Sequence, residues 1–210
     1  MCLKSKGLLR VKQQKKFGEK RDKMLAFYLT LVDDPEDKSL LEKIYCDYRD
    51  HMFAAANGIL QNEQDAEDAV HDAFVKIAQN IKMFRKYTEV HLKASVLAVT
   101  RHIALNMAKK GGNIEKESLD DEKSEAFRSA HDTQDIEQDF IDKLRYERLN
   151  RAIENLAEGD RDLITLYYVQ RLPGKDIAKM FDMKDCTVRK KAERLRKKLY
   201  EACGGDEYEK

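Results

Sequence analysis

The chain has 210 residues, which suits one or two domains, and 38% of them are charged against 42% apolar. A net charge of +1 by itself predicts no polyanionic partner, and no apolar run approaches the ~18 residues that a membrane span needs. Only Pro35 and Pro173 interrupt the sequence, which favours helix throughout, because proline is the strongest helix breaker. The N-terminus is basic but lacks the continuous apolar stretch of a secretory signal, so the protein is expected in the cytoplasm.

The distribution of charge says more than its sum. Residues 1–23 hold nine Lys/Arg and two acids, residues 113–142 hold eleven acids and three Lys/Arg, and residues 187–198 hold seven Lys/Arg and one acid. Residues 1–24 read as a basic N-terminal tail. Apolar patterning starts at Met24, with Leu25, Tyr28, Leu29 and Val32. Met24 is therefore one candidate start, with residues 1–23 an upstream extension; the alternative is a basic arm that touches DNA phosphates.

Residues 25–110 are expected to form a first helical domain. Over Leu40–Leu60, the residues Leu41, Ile44, Tyr45, Tyr48, Met52, Ala55, Ala56 and Ile59 recur at three- and four-residue steps, the mark of one helix face. Gly58 and the polar run Gln61–Asn62–Glu63 signal a break. A second helix is expected over Asp65–Ile81, with Ala66, Ala69, Val70, Ala73, Phe74 and Ile77 as its buried stripe. Asp65, Glu67 and Asp68 crowd its first turn, where the helix dipole favours negative charge. A loop near Met83–His91 leads to a third helix over Leu92–Lys110. Its inner positions are Leu92, Val96, Val99, Ile103 and Met107, and its outer face carries Lys93, Arg101, Asn106, Lys109 and Lys110.

Residues 111–140 read as an acidic linker, poor in large apolar residues. Residues 141–203 are expected to form a second helical domain, with helices near Asp142–Leu156, Asp160–Gln170, Lys175–Phe181 and Cys186–Ala202, before a tail at 204–210. The fold class is all-α: two small helical domains joined by an acidic linker.

The stretch from Leu172 to Lys191 reads as a helix-turn-helix. Small Ala178 suits a close helix crossing, and Ile177, Phe181, Met183 and Val188 would lock the pair. Asp182 stands at the turn, where a left-handed backbone is needed and glycine is usual. The last helix would turn Val188, Ala192, Leu195 and Leu199 inward and lodge its N-terminal end in a DNA major groove. Cys186, Thr187, Arg189, Lys190, Lys191 and Arg194 are the candidates for DNA contact. Lys197 and Lys198 are candidates for phosphate contact, which adds affinity without sequence information.

Nothing points to an enzyme: no Walker loop, dinucleotide fingerprint, HExxH or nucleophile elbow occurs. No catalytic residue, metal site or cofactor is expected. The four cysteines lack CxxC spacing, and the five histidines lack metal spacing.

Both domains, in this order, resemble the extracytoplasmic-function (ECF) sigma factors of bacterial RNA polymerase over roughly residues 36–203. The run Asn62-Glu-Gln-Asp-Ala-Glu-Asp-Ala-Val-His-Asp-Ala-Phe-Val-Lys-Ile77 is similar to the segment that grips the clamp helices of the polymerase's largest subunit. The resemblance implies polymerase contact by Gln64, Asp65, Asp68, Asp72 and Phe74. The run Val96-Leu-Ala-Val-Thr-Arg-His-Ile-Ala-Leu-Asn-Met-Ala-Lys-Lys110 resembles the helix that helps melt and read the minus-ten element, with the preceding loop receiving a flipped base. Arg85, Lys86, Tyr87, Arg101, Asn106 and Lys109 are the residues it implies there, serving backbone charge and base stacking. Ser95 stands where the family often has an aromatic residue, and His102 where asparagine is frequent. The run Leu149–Tyr168 together with the helix-turn-helix looks like the domain that reads the minus-thirty-five element; Lys190 and Lys191 stand where serine and arginine are frequent.

The resemblance implies a sigma factor that binds core RNA polymerase and directs transcription initiation. Its partners would be the polymerase clamp helices and promoter DNA, with an anti-sigma factor a further candidate and no membrane involved. The alternative is a helix-turn-helix regulator that acts without polymerase core, usually as a dimer on a palindrome.

Overall fold

The computed structural model describes residues 23–110 and 146–203. Residues 1–22 of the expected basic tail, the acidic linker, the first residues of the second domain and the C-terminal tail lie outside the described residues, while Lys23 and Met24 are helical. The chain divides into two compact units that part between Met107 and Ala108. Every regular element among the described residues is helical, so the fold is all-α.

The first unit opens with helix α1 (residues 23–30), followed by α2 (Pro35–Leu60), α3 (Glu63–Gln79), α4 (Ile81–Phe84) and α5 (Glu89–Lys110). Helix α2 begins five residues before the apolar pattern does, and the cause is its cap. The Asp34 carboxylate accepts from the backbone N–H of Glu36 at 2.8 Å, and Pro35 sits at the first helical position, where its missing N–H costs nothing. The end of α2 comes at Gln61, which takes a left-handed backbone (φ 50°) and donates its N–H to the Asn57 carbonyl at 2.8 Å. Gly58 stays inside the helix. Asn62 then caps α3 by accepting from the N–H groups of Gln64 and Asp65.

The facing stripes of α2 and α3 make the core of this unit. Leu41, Ile44, Tyr45, Tyr48, Met52 and Ala56 are buried on α2, against all six expected positions on α3. Three aromatic rings meet at their centre: Phe74 lies 5.0 Å from Tyr28 and 5.1 Å from Tyr45 between centroids. The loop expected at Met83–His91 is shorter than its sequence suggests. Met83 and Phe84 are buried in α4, and α5 begins at Glu89, so only residues 85–88 connect them. On α5, Leu92, Val96 and Val99 are buried as expected; Ile103 and Met107 are half-buried, and Ala104 and Ala108 take the innermost places.

The second unit contains α6 (described over residues 146–154), α7 (Glu158–Ile164), a π-helical turn (Thr165–Val169), α8 (Gly174–Met180) and α9 (Asp185–Ala202). The single helix expected over Asp160–Gln170 therefore widens in its second half. The Gln170 N–H reaches back five residues to the Thr165 carbonyl at 2.9 Å. Arg171 then turns left-handed (φ 53°), and the Leu172 N–H returns to the Leu166 carbonyl at 3.0 Å. This reversal buries Leu166 and Leu172 and delivers the chain to Pro173 and α8.

Candidate nucleic-acid interface

Helices α8 and α9 form the helix-turn-helix at the place the sequence indicates. Asp182 holds the left-handed backbone (φ 50°), and the Met183 N–H donates to the Ala178 carbonyl at 2.9 Å, closing the end of α8. Ile177, Ala178, Phe181 and Val188 are buried between the two helices, and Met183 is half-buried. On α9 the seam of Val188, Ala192, Leu195 and Leu199 faces the core, with Val188 and Ala192 sealed completely.

A helix with that seam inward turns Cys186, Lys190, Glu193, Arg194 and Lys197 outward, and all five are exposed. Thr187, Arg189 and Lys198 are exposed on its flanks. Lys190 and Arg194 form no ion pair with any described residue, so both cations face solvent. Lys197 has a long contact of 3.8 Å with Glu201. A cationic face on a helix braced by its neighbour suits the polyanionic wall of a DNA groove.

Two of the candidate residues are already engaged. Lys191 is half-buried, and its ammonium lies 2.5 Å from the Asp160 carboxylate at the start of α7. It ties α9 to the body of the unit, so the ammonium suggested for DNA contact already has a carboxylate partner. Arg189 pairs with Asp185 one turn earlier on its own helix. Asp185 was not singled out by the sequence reading, although its i, i+4 spacing from Arg189 was legible.

The residues suggested for the minus-ten element fall into two groups. Lys86 and Lys109 are exposed cations. Tyr87 is half-buried, its ring set edge-on to Phe84 at 5.7 Å. Arg101 is half-buried, and exposed Asn106 is hydrogen-bonded to His102 Nε2 at 3.0 Å. Arg85 is different, and its assignment is corrected. Its guanidinium meets Asp37 at 2.7 Å, Asp34 at 3.0 Å and Glu36 at 3.2 Å. Desolvation works against the charged form, but the hydrogen bond and charge of Asp37, with the charges of Asp34 and Glu36, together hold the Arg85 pKa above its ordinary value. Asp37 is itself buried. A buried carboxylate needs a cation beside it, so Arg85 fastens the end of α4 to the start of α2 and is not a free phosphate ligand. Ser95 is fully buried with its hydroxyl unpartnered, and does not lie on an exposed reading surface.

The surface suggested for polymerase contact is present on α3 with one exception. Gln64, Asp65, Asp68 and Asp72 are all exposed along one side of the helix. Phe74 is fully buried in the ring cluster described above, so it cannot touch a partner; it is a core residue. Between these acids, Glu67 is bound by both oxygens to Arg49 at 2.7 and 2.8 Å. A cleft of about 460 Å³ opens beside Gln64, lined by Tyr28, Tyr45, Arg49, Phe53 and Glu67 among others. Half-exposed Phe27 extends this side of the unit, its ring stacked on His71 at 5.8 Å. Phe27 escaped the sequence reading because it stands off the pattern of Leu25, Tyr28, Leu29 and Val32, and the cleft because it forms only when α1, α2 and α3 meet.

Residues 146–199 match the family model for Sigma-70, region 4. The match takes in α6 to α9 almost whole and so covers the helix-turn-helix itself. This is a DNA-binding transcription factor family and not an enzyme family. The described part of the second unit is therefore similar to Sigma-70 region 4, a likeness that supports a role in promoter recognition. No curated protein matches the chain.

Proposed function

We propose that the chain is an ECF-type sigma factor, which binds core RNA polymerase through its first unit and directs transcription initiation at promoters read by both units. One coincidence carries this reading: the region 4 match falls on the same residues as a helix-turn-helix whose recognition helix presents exposed Lys190 and Arg194, which pair with no described residue, over a sealed apolar seam. In this reading α9 reads the minus-thirty-five element. The acidic face of α3, with Gln64, Asp65, Asp68 and Asp72, meets the clamp helices. The end of α5, with Lys109 and Asn106, belongs to the minus-ten element, together with Lys86 and Tyr87 in the loop before it.

The mechanism follows from covalent connection. When polymerase holds one unit, the other searches promoter DNA at an effective concentration set by the connecting residues, so neither unit needs tight binding alone. Phosphate contacts supply affinity and make it salt-dependent; base contacts supply the choice of promoter. The protein acts in the cytoplasm, and an anti-sigma factor covering either unit would silence it.

In vitro transcription with purified core polymerase tests the proposal. The full chain should confer promoter-specific initiation on core enzyme selected against genomic DNA fragments. A chain that binds operator-like DNA tightly by itself, as a dimer, and adds nothing to core polymerase is a conventional regulator, and the proposal fails.

A further inference from the structure

The Asp185–Arg189 pair lies at the N-terminal end of the recognition helix, the end nearest the bases in a major-groove complex. It differs from a pair standing free on the surface in that Gly174, at the start of α8, lies against it. A Cβ placed on Gly174 would stand 2.6 Å from Asp185 Oδ1, 3.6 Å from the Tyr167 ring and 3.7 Å from Arg189 Cγ. The space that any other residue at 174 would fill is occupied by the Asp185 carboxylate. One of its oxygens, Oδ1, is seated in that slot; the other, Oδ2, accepts from Arg189 Nη2. The carboxylate thus lies between the Gly174 backbone on one side and the Arg189 guanidinium on the other.

We propose that Asp185 is a positioning residue for promoter reading, and that Gly174 is the slot that seats it: together they present Arg189 in a fixed fork to a guanine of the duplex. This rests on the second unit being a duplex reader. Arginine satisfies guanine by giving two parallel hydrogen bonds to O6 and N7, a geometry that a free, rotamer-rich side chain seldom holds. A guanidinium with one N–H committed to a carboxylate keeps its remaining donors at a set angle. An acid this close to DNA phosphates otherwise only weakens binding, by like-charge repulsion. Its placement against Gly174 and Arg189 gives it a compensating role in selectivity.

The test is selection of duplexes from a random pool by the full chain bound to core polymerase, comparing the wild type with Asp185→Ala, Arg189→Ala, Gly174→Ala and the Gly174→Ala/Asp185→Ala double variant. Wild type should enrich a guanine at one position of the minus-thirty-five site, and Arg189→Ala should erase that preference by about tenfold. Asp185→Ala should weaken the same preference about fivefold while affinity for unrelated duplex stays equal or rises, since an acid has been removed. Gly174→Ala should reproduce the Asp185→Ala profile by displacing the carboxylate, and the double variant should be no worse than Asp185→Ala alone. Thermal melting confirms that each variant is folded; Asp185→Ala alters a partly exposed side chain and keeps the test usable if Gly174→Ala does not fold.

An Asp185→Ala protein that gains affinity for all sequences and keeps its guanine preference overturns the inference, leaving the acid purely repulsive. So does an Arg189→Ala protein that loses affinity uniformly, which makes Arg189 a phosphate ligand. Wild-type chain that enriches no sequence at all fails at the earlier step and removes the promoter-reading role of the unit itself.

Discussion

Phe74→Ala separates core from contact surface more cleanly than any other single change. The ring is fully buried and lies within about 5 Å of the Tyr28 and Tyr45 rings. Truncating a buried phenylalanine costs about 3–5 kcal/mol through lost transfer energy and the cavity left behind. The two ring pairs, each contributing about 0.5–1.5 kcal/mol beyond burial, put this site in the upper half of that range. For a unit of this size that corresponds to a fall in melting temperature of about 20 °C. Phe74→Leu keeps most of the burial but loses the ring pairs, and should cost about 1–2 kcal/mol. Hydrogen exchange followed by mass spectrometry on the full chain localises the effect. Protection should collapse across residues 35–84 and hold across α7 to α9. If Phe74→Ala keeps native protection over α2 and α3 yet loses polymerase binding, the ring is a contact residue after all and the core described here is wrong.

Three further outcomes are expected. Lys190→Ala with Arg194→Ala should weaken promoter binding and leave core polymerase binding intact, whereas Asp68→Lys should do the reverse; equal damage to one step by both, in pull-down and footprinting assays, refutes the division of roles between α9 and α3. Asp182→Val forces a β-branched residue into a left-handed backbone and should destabilise the second unit by about 1–3 kcal/mol in urea unfolding, while Asp182→Gly should be tolerated. Burial raises the Tyr28 phenol pKa far above its ordinary value, and Tyr45 pushes it the same way. The unfolded chain ionises this phenol near pH 10, so the stability that Tyr28 contributes is complete below that pH and is lost as pH rises beyond it. Tyr28→Phe should therefore flatten the alkaline limb of a stability–pH curve, and an unchanged limb refutes the assignment.

The buried half of the molecule was largely legible in the sequence. Every stripe position on α3 and every seam position on α9 is buried, because period-3.6 patterning is a local property of a helix and needs no knowledge of its neighbours. The turn at Asp182 was legible for a related reason: few side chains accept that backbone, and the apolar residues on either side fixed its position. Boundaries were less legible. Helix α2 starts at Pro35 because Asp34 caps it, and the π turn after Ile164 is a response to burying Leu166 and Leu172 together.

The fate of individual charges was hidden, and the reason is physical. Arg85 and Asp37 are 48 residues apart, and Lys191 meets Asp160 from a different helix. Sequence shows that a cation stands on a helix; only the fold shows whether a carboxylate arrives to meet it. Arg85 and Lys191 proved to be engaged in ion pairs in this way, and Phe74 belongs to the core. Lys190 and Arg194 stayed on the candidate surface because the α9 seam turns them to solvent, and neither forms an ion pair with a described residue. The same reasoning separates Arg189 from them: its partner Asp185 lies four residues away on the same helix. If Asp185 were instead found swung away from Gly174 in a DNA complex, with Arg189 on a phosphate, geometry in the free chain would not govern reading, and the guanine preference would have to come from Lys190 and Arg194 alone.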